Sequence, residues 1–178
     1  VVDRVGAEGD GWAVAQATLA SERGLTLVEL SQRMRCSLPM LVQAMKDGGR
    51  YNDPALRRDL GVLITKVDSA CALADQYLLK RISHQEQVGD ASLVKLTYAT
   101  VLRDFTALGR RIGGLNAQYY GGFMRGATQE TGHWTLDYMN SYNWSIAGGS
   151  NEIQRNIISE RMLMMPREPK TWQIKEDR

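Results

Sequence analysis

Histidine and cysteine are scarce in this 178-residue chain, two of each, and proline occurs only four times. His84 has no glutamate three residues before it and only His133 does, at Glu130, so the two inward Glu-x-x-His motifs that a metal-binding helical bundle takes from two helices are not both present. Cys36 and Cys71 form no metal-ligand spacing; they read as small apolar residues in helices, which fits a reducing cytoplasm. These absences argue against a metal centre and against Cys-His chemistry, and no Gly-x-Ser-x-Gly elbow offers a serine nucleophile instead. No apolar run approaches the roughly 18 residues that a membrane span requires. The opening VVDRVGAEGDG puts acids and glycines where a signal peptide has its apolar core. Charge of one sign is missing too: 22 basic against 20 acidic residues leave a net +2, without the basic face that nucleic acid requires.

What the chain does have is helical periodicity. Leu56, Leu60, Leu63, Val67, Ala70, Ala74 and Tyr77 step by three and four along one helix face. Asp53 and Pro54 ahead of them read as an N-cap followed by a first-turn proline. Val101, Phe105, Leu108, Ile112, Leu115 and Tyr119 repeat the pattern, with Asp90 as the expected N-cap. A helix over 91–120 would be about 45 Å long. Trp12, Ala15 and Leu19 predict a first helix over 11–23, interrupted by Gly24. Leu27, Leu30, Met34, Leu41 and Met45 carry a further face across Pro39, which should break or kink the helix around 37–39. Residues 121–134 read as loop and 134–145 as a short helix, with a last helix running to about Met164 before Pro166. Only residues 1–5 have any strand character. The expectation is an all-α fold: an antiparallel four-helix bundle with a short extra C-terminal helix. Residues 1–10 read as a linker, 11–165 as the bundle and 166–178 as an exposed tail. The chain, which begins without methionine, is expected to be a piece of something larger.

Two stretches carry possible chemistry. In Ser21-Glu22-Arg23-Gly24 a surface ion pair is the ordinary reading. The apolar neighbours Leu19, Ala20 and Leu25 allow another, because a carboxylate in an apolar pocket has a raised pKa and can act as a general base near neutral pH. In SIAGGSNEIQRNII, Gly148 and Gly149 lead into a helix that Ser150 or Asn151 caps. That is either a plain glycine-rich turn or bare backbone against which a flat ring or a thioester can be pressed. Spacing alone does not choose between them.

AGGSNEIQRNIISERMLMMPREP, 147–169, closely resembles the C-terminal signature of the acyl-CoA dehydrogenases, and GAEGDGWAVAQATLASERG, 6–24, resembles that family's passage from its middle β-domain into its C-terminal helices. The resemblance implies a C-terminal helical domain whose residues 1–10 end the middle β-domain. It also implies an FAD-dependent enzyme that converts an acyl-CoA to the trans-2-enoyl-CoA and passes electrons to electron-transfer flavoprotein. In that chemistry a glutamate takes the α-proton while the β-hydrogen leaves as hydride to FAD. Many members place the base where this chain has Gly148, which has no side chain. Others take it from the first long helix, which implies Glu22 as the base, followed by Arg23 near the CoA portion. By the same carry-over Gly148 offers its N–H to the thioester carbonyl, and Ser150 and Glu152 match positions that touch FAD.

Two family motifs are not matched. GGRYNDPALR, 48–57, stands where an Arg-x-x-Phe-Gly holds the FAD of a neighbouring subunit, and GATQETGHWTLDY, 126–138, replaces a Gln-x-x-Gly-Gly-x-Gly segment. Both departures resemble the bacterial branch in which two unlike subunits share FAD sites, including members acting on steroid side chains. The expected partners are therefore an acyl-CoA, electron-transfer flavoprotein, and further acyl-CoA dehydrogenase subunits in a homo- or hetero-oligomer within a bacterial cytoplasm. Neither nucleic acid nor membrane is expected. The chain by itself is expected to bind FAD poorly and to be inactive. A non-catalytic or FAD-site-sharing subunit is the alternative from another class, and a flavin monooxygenase on the same scaffold is a third.

Overall fold

The computed structural model describes residues 3–22, 24–118 and 129–167, without the side chains of 20–22. Seven α-helices lie among them: α1 (Gly11–Glu22), α2 (Leu25–Cys36), α3 (Leu38–Asp47), α4 (Pro54–Ile82), α5 (Asp90–Gly113), α6 (Trp134–Ser141) and α7 (Asn151–Ile157). There is no strand among the described residues, and residues 3–5 form an irregular turn rather than the strand their composition hinted at. The all-α expectation holds.

α4 starts as its sequence dictates. The Asp53 carboxylate accepts from the backbone N–H groups of Ala55 at 2.9 Å and Leu56 at 3.2 Å, while Pro54 sits where no N–H is needed. Every residue of the 56–77 apolar series is buried. α2 ends and α3 begins at Ser37, and Pro39 falls in the first turn of α3, so the proline breaks the helix without an orphaned carbonyl. Met34, Leu41 and Met45, all at 0 % exposure, form the floor of the core. Each contributes about 1.5–3 kcal/mol of burial.

α4 and α5 form an antiparallel hairpin. Their ion pairs Asp59–Arg111 (2.8 Å), Lys66–Asp104 (2.7 Å) and Lys80–Asp90 (2.9 Å) advance along one helix while retreating along the other. α5 is the hub of the fold and packs against α2, α3, α4, α6 and α7.

Several local readings need correcting. Asp90 is the first residue of α5, not its cap. Gly89 occupies the cap with φ +107, a conformation open to glycine, and the Asp90 side chain instead accepts from Lys80 Nζ and Gln87 N–H. α5 stops at Gly113 because Gly114 turns to φ +55; a 3-10 turn over Gly114–Gln118 follows, which leaves Leu115 exposed. Trp12 is 72 % exposed while Ala15 and Leu19 are half-buried, so among its described side chains α1 has no fully buried face. Cys36 is exposed, and only Cys71 is the buried apolar cysteine expected. Burial pushes the Cys71 thiol up. α6 ends at Ser141, with a separate 3-10 turn over Asn143–Ser145, and α7 passes into a wide π-type turn over Ile158–Met162.

Candidate active site

The glycine pair sits between two anchors. On its N-terminal side, Trp144 meets Tyr98 of α5 edge to face, with ring centroids 5.5 Å apart. Tyr98 is buried, and burial pushes its phenol well above the usual range. On the C-terminal side, Asn151 opens α7 and its Oδ1 accepts from Lys95 Nζ at 3.0 Å; both side chains are buried. A charged donor inside the core needs such an acceptor, and the bond docks α7 on α5.

Between the anchors, Gly148 and Gly149 adopt φ of +67 and +97. Two consecutive residues in this region demand glycine, so the missing side chain at Gly148 is a requirement of the backbone. Ser150 is the N-cap of α7, its Oγ accepting from Ile153 N–H at 3.3 Å. Glu152 lies in the first turn. Its own backbone N–H, and then the Ser150 hydroxyl, hold its carboxyl below the usual range, with Arg155 at 3.2 Å as a weaker contributor. The Glu152 side chain is exposed and free to meet a ligand or a neighbouring chain. Gln154, on the inner face of α7, is completely buried. Its Nε2 donates to both glycine carbonyls, at 3.1 Å to Gly148 and 3.0 Å to Gly149.

A cleft of about 430 Å³ opens at the C-terminal end of α7. Ala17 of α1, Tyr77 and Arg81 of α4, Ser92 of α5, and Ile157 and Arg161 after the turn line it. Arg81 donates to the Tyr77 hydroxyl at 3.0 Å and pairs loosely with Glu86 at 3.6 Å. The cleft therefore brings two guanidinium groups together with α1, five residues before Glu22. Glu22 itself closes α1, but its side chain lies outside the described residues, as does Arg23. Gly148, Ser150 and Glu152 are brought together in one turn.

Arg50, in the stretch that replaces the family's flavin-holding motif, donates to the Arg111 carbonyl at 2.8 Å and pairs with Asp53 at 3.4 Å. It ties the α3–α4 turn to the end of α5. Among the described residues no group of histidine, cysteine and carboxylate side chains could hold a metal ion, and no helix is long and apolar enough to cross a membrane.

The pattern reading missed Lys95 and Gln154, and saw Asn151 only as a candidate cap rather than as an acceptor for Lys95. A signal existed for the first: Lys95 lies three residues before Tyr98 and seven before Leu102, on the inward register of α5. Gln154 falls four residues after the cap on a helix of seven, too short for a periodicity to show which face is inward.

The sequence profile of the acyl-CoA dehydrogenase C-terminal domain matches residues 9–163. The chain belongs to the acyl-CoA dehydrogenase family. It is 36 % identical over 171 residues to acyl-CoA dehydrogenase IpdE1 of Mycolicibacterium smegmatis, covering 93 % of this chain and 40 % of the relative. Identity to IpdE1 of Mycobacterium tuberculosis is 34 % over 168 residues, covering 93 % and 41 %. The chain thus spans about 40 % of the length of these curated relatives. A solved structure of a variant of the Tcur3481-Tcur3483 steroid ACAD shares the fold, with a TM-score of 0.74 at 24 % identity over 89 % of this chain and 41 % of that one.

Proposed function

We propose that this domain completes the active site of an FAD-dependent acyl-CoA dehydrogenase, in which Glu22 removes the α-proton of an acyl-CoA thioester. The observation that carries the reading is the cleft that α1 shares with the segment following the Gly148–Gly149 turn, because it sets the helix ending in Glu22 against the family signature. Gly148 cannot be the base, so proton removal falls to a carboxylate from another element. Arg81 and Arg161 supply positive charge for the anionic end of a CoA ester, with Arg23 as a third candidate. The Gly148 N–H is the donor proposed for the thioester carbonyl as negative charge develops on it.

The turn fits a flavin: two glycines at positive φ leave bare backbone for a flat ring, and Ser150 and Glu152 stand ready to hold it. The chemistry that FAD would supply there is that of an acceptor for the substrate's β-hydrogen as hydride, with electron-transfer flavoprotein as the onward electron acceptor. Arg50 does not fit a flavin held from a neighbouring subunit, since its guanidinium is committed to Arg111 and Asp53. That observation favours a second reading, a subunit that shares FAD sites with an unlike acyl-CoA dehydrogenase chain. The solved neighbour's name specifies a steroid substrate, so steroid-type and straight-chain thioesters both belong in the assay.

The test is anaerobic mixing of the purified full-length protein with acyl-CoA esters. Bleaching of the flavin absorbance supports the enzyme. A protein that is yellow, yet unbleached by any thioester, contradicts it. A colourless chain that gains flavin and activity only when co-expressed with a second acyl-CoA dehydrogenase subunit establishes the shared-site reading.

A further inference from the structure

We infer that Gln154 is a positioning residue for this reaction: its side-chain amide fixes the orientation of the Gly148–Gly149 peptides that wall the thioester pocket. The inference rests on the proposed dehydrogenase reading. Gly148 and Gly149 have no side chains to restrain them, and glycine reaches both signs of φ at little cost. Something else must hold the pair at +67 and +97. Ser150 serves the helix start, through Ile153 and the Glu152 carboxylate, and Asn151 the docking to Lys95. The bonds that reach the glycines from α7 are the two from Gln154 Nε2, and they use both hydrogens of its NH2 group.

The direction of the amide is settled by chemistry. Turned over, it would set Oε1 against two carbonyl oxygens, three acceptors with no donor. As placed, Oε1 is buried and has no hydrogen-bond partner among the described residues, so the two carbonyls alone determine how the amide lies. A buried polar atom left without a partner is a cost that a purely structural position on α7 would avoid by carrying leucine or methionine. Because peptides are planar and trans, each N–H points opposite the carbonyl it shares a plane with. Drawing the carbonyls of Gly148 and Gly149 onto Gln154 therefore turns the N–H groups of Gly149 and Ser150 away from it. The same two bonds fix the torsions of Gly149, which lies between the two held peptide planes, and anchor the C-terminal side of Gly148, whose own N–H is the one proposed for the thioester.

The test uses the full-length flavin-loaded enzyme, with its partner subunit where one co-assembles, and the variants Gln154→Met and Gln154→Glu. Methionine fills the same space without a donor, and glutamate keeps the shape while replacing the donor with an acceptor. Normalising to bound flavin removes any misfolded fraction. Both variants are expected to lose about 10- to 100-fold in kcat with little change in KM, the scale of loss when a catalytic contact is misplaced by about an ångström. The change in flavin absorbance on adding a trans-2-enoyl-CoA is expected to shrink in both. Wild-type kcat per flavin in either variant, with an unchanged spectral response, would overturn the role of Gln154 and leave the dehydrogenase reading standing. A wild-type enzyme that reduces its flavin with no acyl-CoA would overturn both.

Discussion

The substitution of glycine by alanine should have opposite effects at two helix positions of this domain. Gly61 lies mid-helix in α4, exposed, and a Cβ built there meets nothing within 4 Å. Gly61→Ala gains helix propensity and restricts the unfolded chain, for a stabilisation of about 0.5–1 kcal/mol. Gly109 is also helical, in α5, but a Cβ there would overlap the indole of Trp134, reaching 2.7 Å from Cζ3 and closer to the ring atoms beside it. Trp134 is 8 % exposed and tilts against Phe105, with centroids 6.0 Å apart, so the ring is fixed on both sides. Overpacking of this kind costs about 1–3 kcal/mol, and a rigid ring argues for the upper end. Offset by about 1 kcal/mol of helix propensity, Gly109→Ala should lose about 2 kcal/mol. For a domain of this size each kcal/mol moves Tm by about 2–4 °C. Thermal unfolding followed by circular dichroism should therefore show a fall of about 4–8 °C for Gly109→Ala and a rise of about 1–4 °C for Gly61→Ala. Tryptophan emission should shift to the red only in the former. Shifts of the same sign would refute the claim that α6 is seated by the absence of a side chain at Gly109.

Asn151→Ala removes one acceptor of the buried Lys95 side chain, and urea unfolding should report a loss of about 1.5–3 kcal/mol. The Asp53 carboxyl is held below the usual range, first by the Leu56 N–H and further by the Ala55 N–H and by Arg50, against some desolvation. A depressed folded pKa contributes stability above the unfolded value near 3.9 and loses it as pH falls through the folded one. The stability gap between wild type and Asp53→Ala, read from urea midpoints, should therefore be full at neutral pH and close on acidification. Gly89→Ala combines a φ of +107 with contacts of 3.0 and 3.1 Å to Met162; it should cost about 1–3 kcal/mol and loosen the π-type turn. The 178-residue chain alone should bind FAD poorly and turn over no acyl-CoA, measured with a dye acceptor.

The long elements were legible because their periodicity is repeated over many turns. The 56–77 series needed no correction, and the Asp53–Pro54 start formed as its chemistry required. What pattern could not see was local. Gly89 took the cap that Asp90 was expected to fill, because a buried lysine-paired carboxylate was worth more facing Lys80 than capping its own helix. Gly114 ended α5 earlier than the apolar face implied, since a left-handed residue stops a helix whatever its neighbours favour. At the site, the glycine pair could be read directly, and the cap was narrowed to Ser150 or Asn151, of which Ser150 fills it. The anchors could not: Lys95 and Asn151 meet across 56 positions, and no spacing rule pairs them. Gln154 acts on residues only five and six positions back, but through a buried amide whose direction depends on the fold.

The central claim is that Glu22 supplies the base that Gly148 cannot. It is tested most directly by Glu22→Gln in the full-length protein, measuring acyl-CoA turnover beside flavin content. The account predicts wild-type flavin content with turnover abolished, because the amide fills the same space but cannot accept the α-proton. Turnover that survives the substitution, in protein carrying its full complement of flavin, would contradict it.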